Sequence, residues 1–199
     1  HCIDLDHFKE INDTFGHGAG DELVRRVARM FSERCAANDT LSRLGGDEFA
    51  IIQANATPES AKALAEQLVE LLSTPVEISV GRVFIGCSIG VTIVDDGGLD
   101  SAECLRQADL ALYRAKAEGR SCVVFFEDGM DATLRNRLQL RDDLRDGLAA
   151  GQLQLHYQPQ VYHGEIYGVE ALLRWEHPER GMVSPSVFIP IAEQSGLIE

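Results

Sequence analysis

Between residues 83 and 93 every second position is apolar: Val83, Ile85, Cys87, Ile89, Val91 and Ile93. A period of two puts all six on one face of an extended chain. A chain with this stretch must therefore build a sheet and cover one face of it. VEISVGRVFIGCSIGVTIV (76–94) reads as a hairpin turning at Gly81-Arg82.

The cover comes from helical patterns on either side. DELVRRVARMFSERC (21–35) carries Leu23, Val27, Met30 and Phe31 on one face, with Asp21 or a neighbour as cap, after a GHGAGD loop at 16–21. Residues 58–72 space Leu64, Leu68, Leu71 and Leu72 helically. SAECLRQADLALYRAKAEG (101–119) turns Leu105, Ala108, Leu112 and Ala115 inward and stops at Gly119. CIDLD (2–6), residues 41–53 (strand, turn, strand) and SCVVFF (121–126) read as further strands. Residues 1–126 thus predict an α/β (α+β) sandwich around one sheet. Texture changes afterwards. TLRNRLQLRDDLRDGLAAG (133–151) is a charged helix, with Leu134, Leu138, Leu144 and Leu148 on one broad face, and reads as a connector. QLQLHYQPQV (152–161) and EIYGVEALLRW (165–175) read as strands joined at His163-Gly164.

The 199 residues hold 45% hydrophobic and 25% charged residues, the balance of an ordinary globular chain. No apolar run approaches the roughly 20 residues of a membrane span, and no secretory signal is visible at the start. The chain opens in what reads as a strand end and stops inside a motif, which suggests a fragment. The five cysteines, Cys2, Cys35, Cys87, Cys104 and Cys122, form no CxxC pair; they read as thiols of a reducing cytosol. A net charge of −14 disfavours a nucleic-acid partner. It leaves room for a nucleotide whose phosphates are held by Mg²⁺ on carboxylates.

Asp4 and Asp6 share a strand face, opposite Ile3. Like charges there repel, and an unpaired buried carboxylate is costly. A divalent cation relieves both problems; a solvated strand end is the plain alternative. The stretch LSRLGGDEFAII (41–52) offers two more carboxylates, Asp47 and Glu48. If its strands neighbour residues 2–6, Asp4 and Asp47 converge on one metal. Gly45 and Gly46 would then serve the turn and admit a phosphate or base to the backbone.

DLDHFKEINDTFGHGAGDEL (4–23), RLGGDEFA (43–50), CSIGVTI (87–93) and ADLALYRAKAEGR (108–120) follow one another in an order that resembles the GGDEF family of diguanylate cyclases. LHYQPQV (155–161), GVEALLRWEHPERG (168–181) and FIPIAEQSGLIE (188–199) resemble the start of an EAL domain, the cyclic di-GMP phosphodiesterase family. The resemblance implies a GGDEF domain at 1–128, a linker helix at 129–150 and an EAL start at 151–199. It implies a nucleotidyl-cyclase or polymerase-palm sheet with flanking helices, followed by the first strands of a TIM-like barrel. The reaction implied joins two GTP into cyclic di-GMP between two facing domains, hence a homodimer, in the cytoplasm. Membrane tethering is left open.

The family's metal ligands, for Mg²⁺ or Mn²⁺, fall on Asp4, the carbonyl of Leu5, and Asp47. Asp47 or Glu48 is the group to help deprotonate the attacking hydroxyl. Guanine recognition falls on Asn12 and Asp21, and the substrate is also met at Gly45 and Gly46. Phosphate contacts fall on Lys9, Lys116 and Arg120; Lys116 also reads plainly as a cation in a helix's last turn. In the EAL part, Glu170 matches a metal ligand, and Gln158 and Arg174 match substrate contacts. The catalytic Lys and further acids of that family would lie beyond Glu199, so hydrolysis is not carried by these residues alone.

Three departures stand out. Ser121 occupies a position where the family usually has Asn. The inhibitory RxxD motif is replaced by Ala36-Ala37-Asn38-Asp39, and alanine cannot make a bidentate grip, so product inhibition through this site is expected to be weak or absent. The family's first helix and strand are missing before Asp4, from which reduced stability is expected. A GTP-binding module without turnover, regulating an EAL half, is the rival reading.

Overall fold

The computed structural model describes residues 1–94, 98 and 100–198, in two compact units, His1–Met130 and Asp131–Glu199. Glu199, the last residue of the 188–199 EAL-like stretch, lies outside the described residues.

In the first unit, β1 (Cys2–Asp6) runs through His7 directly into α1 (Phe8–Phe15), and α2 (His17–Ser32) follows after Gly16. The strands β2 (Thr40–Gly45) and β3 (Glu48–Ile52) form the GGDEF hairpin. Next come α3 (Pro58–Leu71), β4 (Val76–Ile78), β5 (Gly81–Val83), β6 (Gly86–Val91), α4 (Ser101–Ala117) and β7 (Val123–Phe125). Five strands form one sheet in the order β2-β3-β1-β6-β7. The central β1 is antiparallel to β3 and β6, whereas β7 is parallel to β6 and reached through α4.

All five residues of β1 are buried, because both of its faces are covered. Ile3 and Leu5 join Cys87, Ile89, Val91, Phe49 and Ile51 in the main core, with Leu23, Val27 and Phe31 of α2 and Leu64 and Leu68 of α3. The opposite face carries Cys2, Asp4 and Asp6, alongside Ser88 and Gly90 of β6, and lies under α4. The period-two pattern thus marks the α2–α3 side, and small or acidic residues mark the α4 side. A methyl on Gly90 would run into the Ala108 carbonyl and the Leu112 backbone.

Several expectations need correction. GHGAGD is no loop: α2 begins at His17, with Gly16 rather than Asp21 at its cap position. Gly20 serves helix packing, since a side chain there would strike Asn12 of α1. The helix α1 itself escaped the sequence reading, its eight residues being too few for a repeated apolar stripe. The 76–94 stretch is a small hairpin plus a separate strand. It turns at Ser79-Val80, where the Ser79 amide donates to Glu22 (2.9 Å) and so ties the hairpin to α2. Leu105 faces solvent, at 49% exposure, and Ala111 takes the inward place instead. Gly119 does end α4: with φ of 117° it lets Arg120 N–H reach back to the Ala115 carbonyl (3.1 Å), a Schellman closure.

The second unit contains α5 (Met130–Ala149) from Asp131 onward, β8 (Leu153–Tyr162), β9 (Glu165–His177), β10 (Gly181–Val183) and α6 (Pro185–Gln194). The sheet order is β10-β9-β8, all antiparallel, with the β8–β9 turn at His163-Gly164 as expected. Its core gathers Leu140, Leu144, Trp175, Val183, Phe188 and Ile191. Of the expected leucine stripe on α5, Leu144 is buried, while Leu138 and Leu148 are exposed and Leu140 packs inward instead. His177 Nδ1 accepts the Glu179 and Arg180 amides (both 3.1 Å), which leaves Nε2–H to meet Asp143 of α5 (3.2 Å).

Gly90→Ala should destabilise the first unit by at least about 3 kcal/mol, because backbone on both sides of the new methyl must shift. Gly18→Ala, on the exposed side of α2 with open space around it, should change stability by no more than about 1 kcal/mol. Urea denaturation midpoints of the two variants check the pair.

Candidate functional site

Asp4 sits at mid-strand on the α4 face, and β1 pairs it with Glu48 on one side and Ser88 on the other. It is 8% exposed. Its Oδ2 lies 2.7 Å from Lys116 Nζ, in the last turn of α4. Burial pushes the Asp4 carboxyl above its ordinary value. The hydrogen bond and charge of Lys116 pull it back, and the neighbouring charges of Asp47 and Asp6 raise it again. Lys116 thus meets a sheet carboxylate rather than simply serving the helix dipole. The solvated-strand-end alternative for Asp4 and Asp6 fails, since both are buried.

The hairpin turn comes beside this carboxylate because β3 is the direct neighbour of β1. The Leu5 amide donates to the Asp47 carbonyl (3.2 Å). In an antiparallel pair a residue's N–H and C=O point to the same neighbour, so the Leu5 carbonyl is turned toward the Asp47 end of β3. Asp47 is half-buried; Gly45, Gly46 and Glu48 are exposed. Gly46 has φ of 50°, the left-handed region a tight turn needs. Arg43 Nε and Nη2 both donate to the Gly46 carbonyl (3.0 and 2.7 Å) and clamp the turn. The sequence reading passed over Arg43; an arginine two residues before the glycine pair was the available signal.

Across α1 and α2, the Asn12 side chain lies over Gly20, next to Asp21. Asn12 is half-buried and Asp21 exposed. Lys9 is exposed in the first turn of α1, just after β1. Arg120 is exposed immediately past α4, with φ of 64°. The structure therefore brings Asp4, Asp47 and Lys116 together and stacks Asn12 against the residue before Asp21.

Asp6 was read only as a possible partner of Asp4. It is 5% exposed and accepts from Ser88 Oγ (2.7 Å), Ser121 N (2.9 Å) and Ser121 Oγ (3.0 Å). Ser121, singled out as a departure from the family, uses its hydroxyl here. Asp39 of the Ala36–Asp39 segment accepts the Ala36 and Ala54 amides (2.8 and 3.1 Å), a local fastening.

The donors around Asp4 fit a hard divalent cation: two carboxylates and a turned carbonyl supply oxygen only. Among the described residues no three His, Cys, Asp or Glu side chains gather closely enough to hold a metal ion by themselves. Such a partial set suits Mg²⁺, which keeps water and substrate oxygens in its remaining positions.

In the second unit, Gln158 of β8 stands directly opposite Glu170 of β9, and Arg174 lies opposite Gln154 on the same sheet face. Gln158 and Glu170 are exposed; Arg174 is half-buried and donates to the Leu173 carbonyl (3.0 Å).

Residues 2–122 match the family described as "Diguanylate cyclase, GGDEF domain", and residues 141–199 match "EAL domain". The chain is 46% identical over 198 residues to MucR of Pseudomonas aeruginosa, described as a bifunctional diguanylate cyclase/cyclic di-GMP phosphodiesterase, covering 98% of this chain and 29% of that protein. It is 39% identical over 197 residues to PdeR of Escherichia coli, described as a cyclic di-GMP phosphodiesterase, covering 98% of this chain and 30% of that protein. The chain thus spans less than a third of the length of these relatives. The structure of an N-terminally truncated variant of TpbB (YfiN) from Pseudomonas aeruginosa, comprising only its GGDEF domain, superposes with a TM-score of 0.64 at 33% identity, covering 67% of this chain and 79% of that one. The fold is accordingly the mixed α/β sheet of GGDEF domains, and this chain belongs to the GGDEF family, with the start of an EAL domain following its GGDEF domain.

Proposed function

We propose that the first unit is a diguanylate cyclase that condenses two GTP into cyclic di-GMP. The observation that carries this reading is the meeting of Asp4, Asp47 and Lys116 at the β1–β3 junction, with the Gly45–Glu48 turn complete. In each half-reaction a ribose 3′-oxygen forms a bond to the α-phosphorus of the facing GTP. The bond from that phosphorus to the pyrophosphate oxygen breaks, and pyrophosphate leaves with its electron pair. Asp4, Asp47 and the Leu5 carbonyl would hold Mg²⁺ or Mn²⁺, which polarises the phosphoryl oxygens when bound. Asp47 or Glu48 receives the hydroxyl proton, directly or through water. Lys9, Lys116 and Arg120 neutralise the triphosphate. Asn12 and Asp21 face the guanine edge; a carboxylate there accepts from N1–H and the exocyclic amine, donors that adenine lacks. One domain holds one GTP, so turnover needs two facing copies.

In this reading Gln158, Glu170 and Arg174 belong to an EAL site that binds cyclic di-GMP. The reading puts the domain in the cytoplasm, where GTP is supplied; no helix of the described residues is long and apolar enough to cross a membrane. The rival, a GTP-binding module that regulates a phosphodiesterase without turnover, is supported by the likeness to PdeR, whose description names only the phosphodiesterase.

Incubation of the full-length protein carrying Glu170→Ala with GTP and Mg²⁺ should yield cyclic di-GMP, identified by mass. Bound but unconverted GTP would sink the cyclase reading and leave the rival. Asp47→Ala should lower synthesis by at least about 100-fold while shifting stability by no more than about 0.5 kcal/mol, as befits a half-exposed turn residue. With Ala36 unable to grip product and Asp39 engaged on two amides, initial rates should stay flat as cyclic di-GMP is added at micromolar levels. A steep fall would show an inhibitory site elsewhere on the chain.

A further inference from the structure

Two successive residues after Gly119 hold left-handed backbone: Arg120 with φ of 64° and Ser121 with φ of 48°. Side-chain-bearing residues keep that conformation only where their surroundings over-determine it. Three fastenings do so here. Arg120 N–H closes α4 on Ala115, Ser121 N–H donates to Asp6 Oδ2, and the Cys122 carbonyl accepts from Ile89 of β6 (3.0 Å). Only the middle one ends on a side chain. Ser121 Oγ doubles it (3.0 Å), and Ser88 Oγ holds the other carboxylate oxygen at 2.7 Å. The cluster is closely packed, since a methyl on Gly86 would collide with Ser121 Oγ and press on Asp6 Oδ2. Among the described residues no lysine or arginine pairs with Asp6. A buried carboxylate with donors but no cation is a structural acceptor.

We propose that Asp6 is a positioning residue for triphosphate binding, pinning the Arg120–Ser121 turn so that Arg120 is held ready beside Lys116. The inference rests on the nucleotide reading given above. The two acids of β1 then divide the work: Asp4 holds Lys116, and Asp6 holds the turn that carries Arg120. A guanidinium on a fixed turn loses less freedom when it grips a phosphate than one on a loose loop. The benefit of Asp6 is therefore expressed through Arg120.

The test is calorimetric affinity for a non-hydrolysable GTP analogue with Mg²⁺, on the full-length protein and four variants. Asp6→Ala and Arg120→Ala should each weaken binding about tenfold, and the double variant should be no weaker than the worse single one. Asp6→Asn, which keeps an oxygen for Ser121, should regain most of the affinity. Hydrogen exchange in peptides spanning 115–123 should quicken in Asp6→Ala and return toward normal in Asp6→Asn. Unchanged affinity in Asp6→Ala, a multiplicative double variant, or Asp6→Asn as weak as Asp6→Ala overturns the proposal. If Asp6→Ala does not fold, Ser121→Ala carries the same test, with an expected loss of about two- to threefold that vanishes in the Arg120→Ala background. Binding and turnover are read separately, so a protein that binds the analogue yet makes no product sinks the cyclase reading alone. A protein that binds no analogue sinks both.

Discussion

The approach of α4 to the sheet at Gly90 is the contact on which the site depends. A helix normally rides on the side chains that stand out of a sheet's pleat. Here the backbone of Ala108 and Leu112 comes down onto a strand residue with no side chain. Two turns further on, that closeness brings Lys116 Nζ to Asp4 and lets the end of the helix fold down onto Asp6. With a bulkier residue at 90, the same cation would stand off from the sheet and Asp4 would lose its ion pair with Lys116. The geometry of the polar face thus follows from a packing decision in β6.

That decision was only half visible in the sequence. The apolar half of the 83–93 alternation announces a strand and its covered face, and β1, the β2–β3 hairpin, α3 and β9 are equally plain from periodicity. The complementary half, Gly86, Ser88 and Gly90, reads as weak strand residues until a helix is laid on them. Glycine misled again at Gly16–Gly20, where a run that looks like a loop is the first turn of α2, kept small so that Asn12 can lie against it. Local propensity speaks for an isolated segment; close packing between elements can override it. The site residues themselves were reached through family resemblance. From residue types alone, the acids after the glycine pair read more readily as a solvated hairpin, and Asp4 and Asp6 fitted a solvated strand end as well as a metal site. Burial of Asp4 and Asp6 removes the solvated strand end, and only the folded chain supplies that burial.

The second unit follows a different logic. Its core is built around Trp175, fully buried, with Nε1–H on Gln152 (3.2 Å) and edge-on contacts to His177 and Phe188. The β9 face that carries Trp175 also carries Ala171 and Leu173, and the other face sets Glu170 and Arg174, with Gln158 opposite, around Leu172. The strand alternation therefore sets Trp175 and Leu173 on one face and Glu170 and Arg174 on the other. A helix that reads as a connector contributes Leu140 and Leu144 to the same core and Asp143 to His177.

The two carboxylates of β1 show why neighbouring acids need not repel their way out of a fold. An ionised carboxylate offers about four acceptor sites. Asp6 has three donors on it, so its charge is spread into hydrogen bonds and little capacity remains for a ligand. Asp4 has one ion pair, with Lys116, and a second acid, Asp47, near enough to raise its pKa. Both are buried, and their partners differ: hydroxyl and amide donors at Asp6, an ammonium at Asp4. A carboxylate satisfied by the protein is a strut. One paired with a lysine through a single oxygen is held at one end only. Two residues apart on one strand, the same side chain is fixed at both oxygens in Asp6 and at one in Asp4.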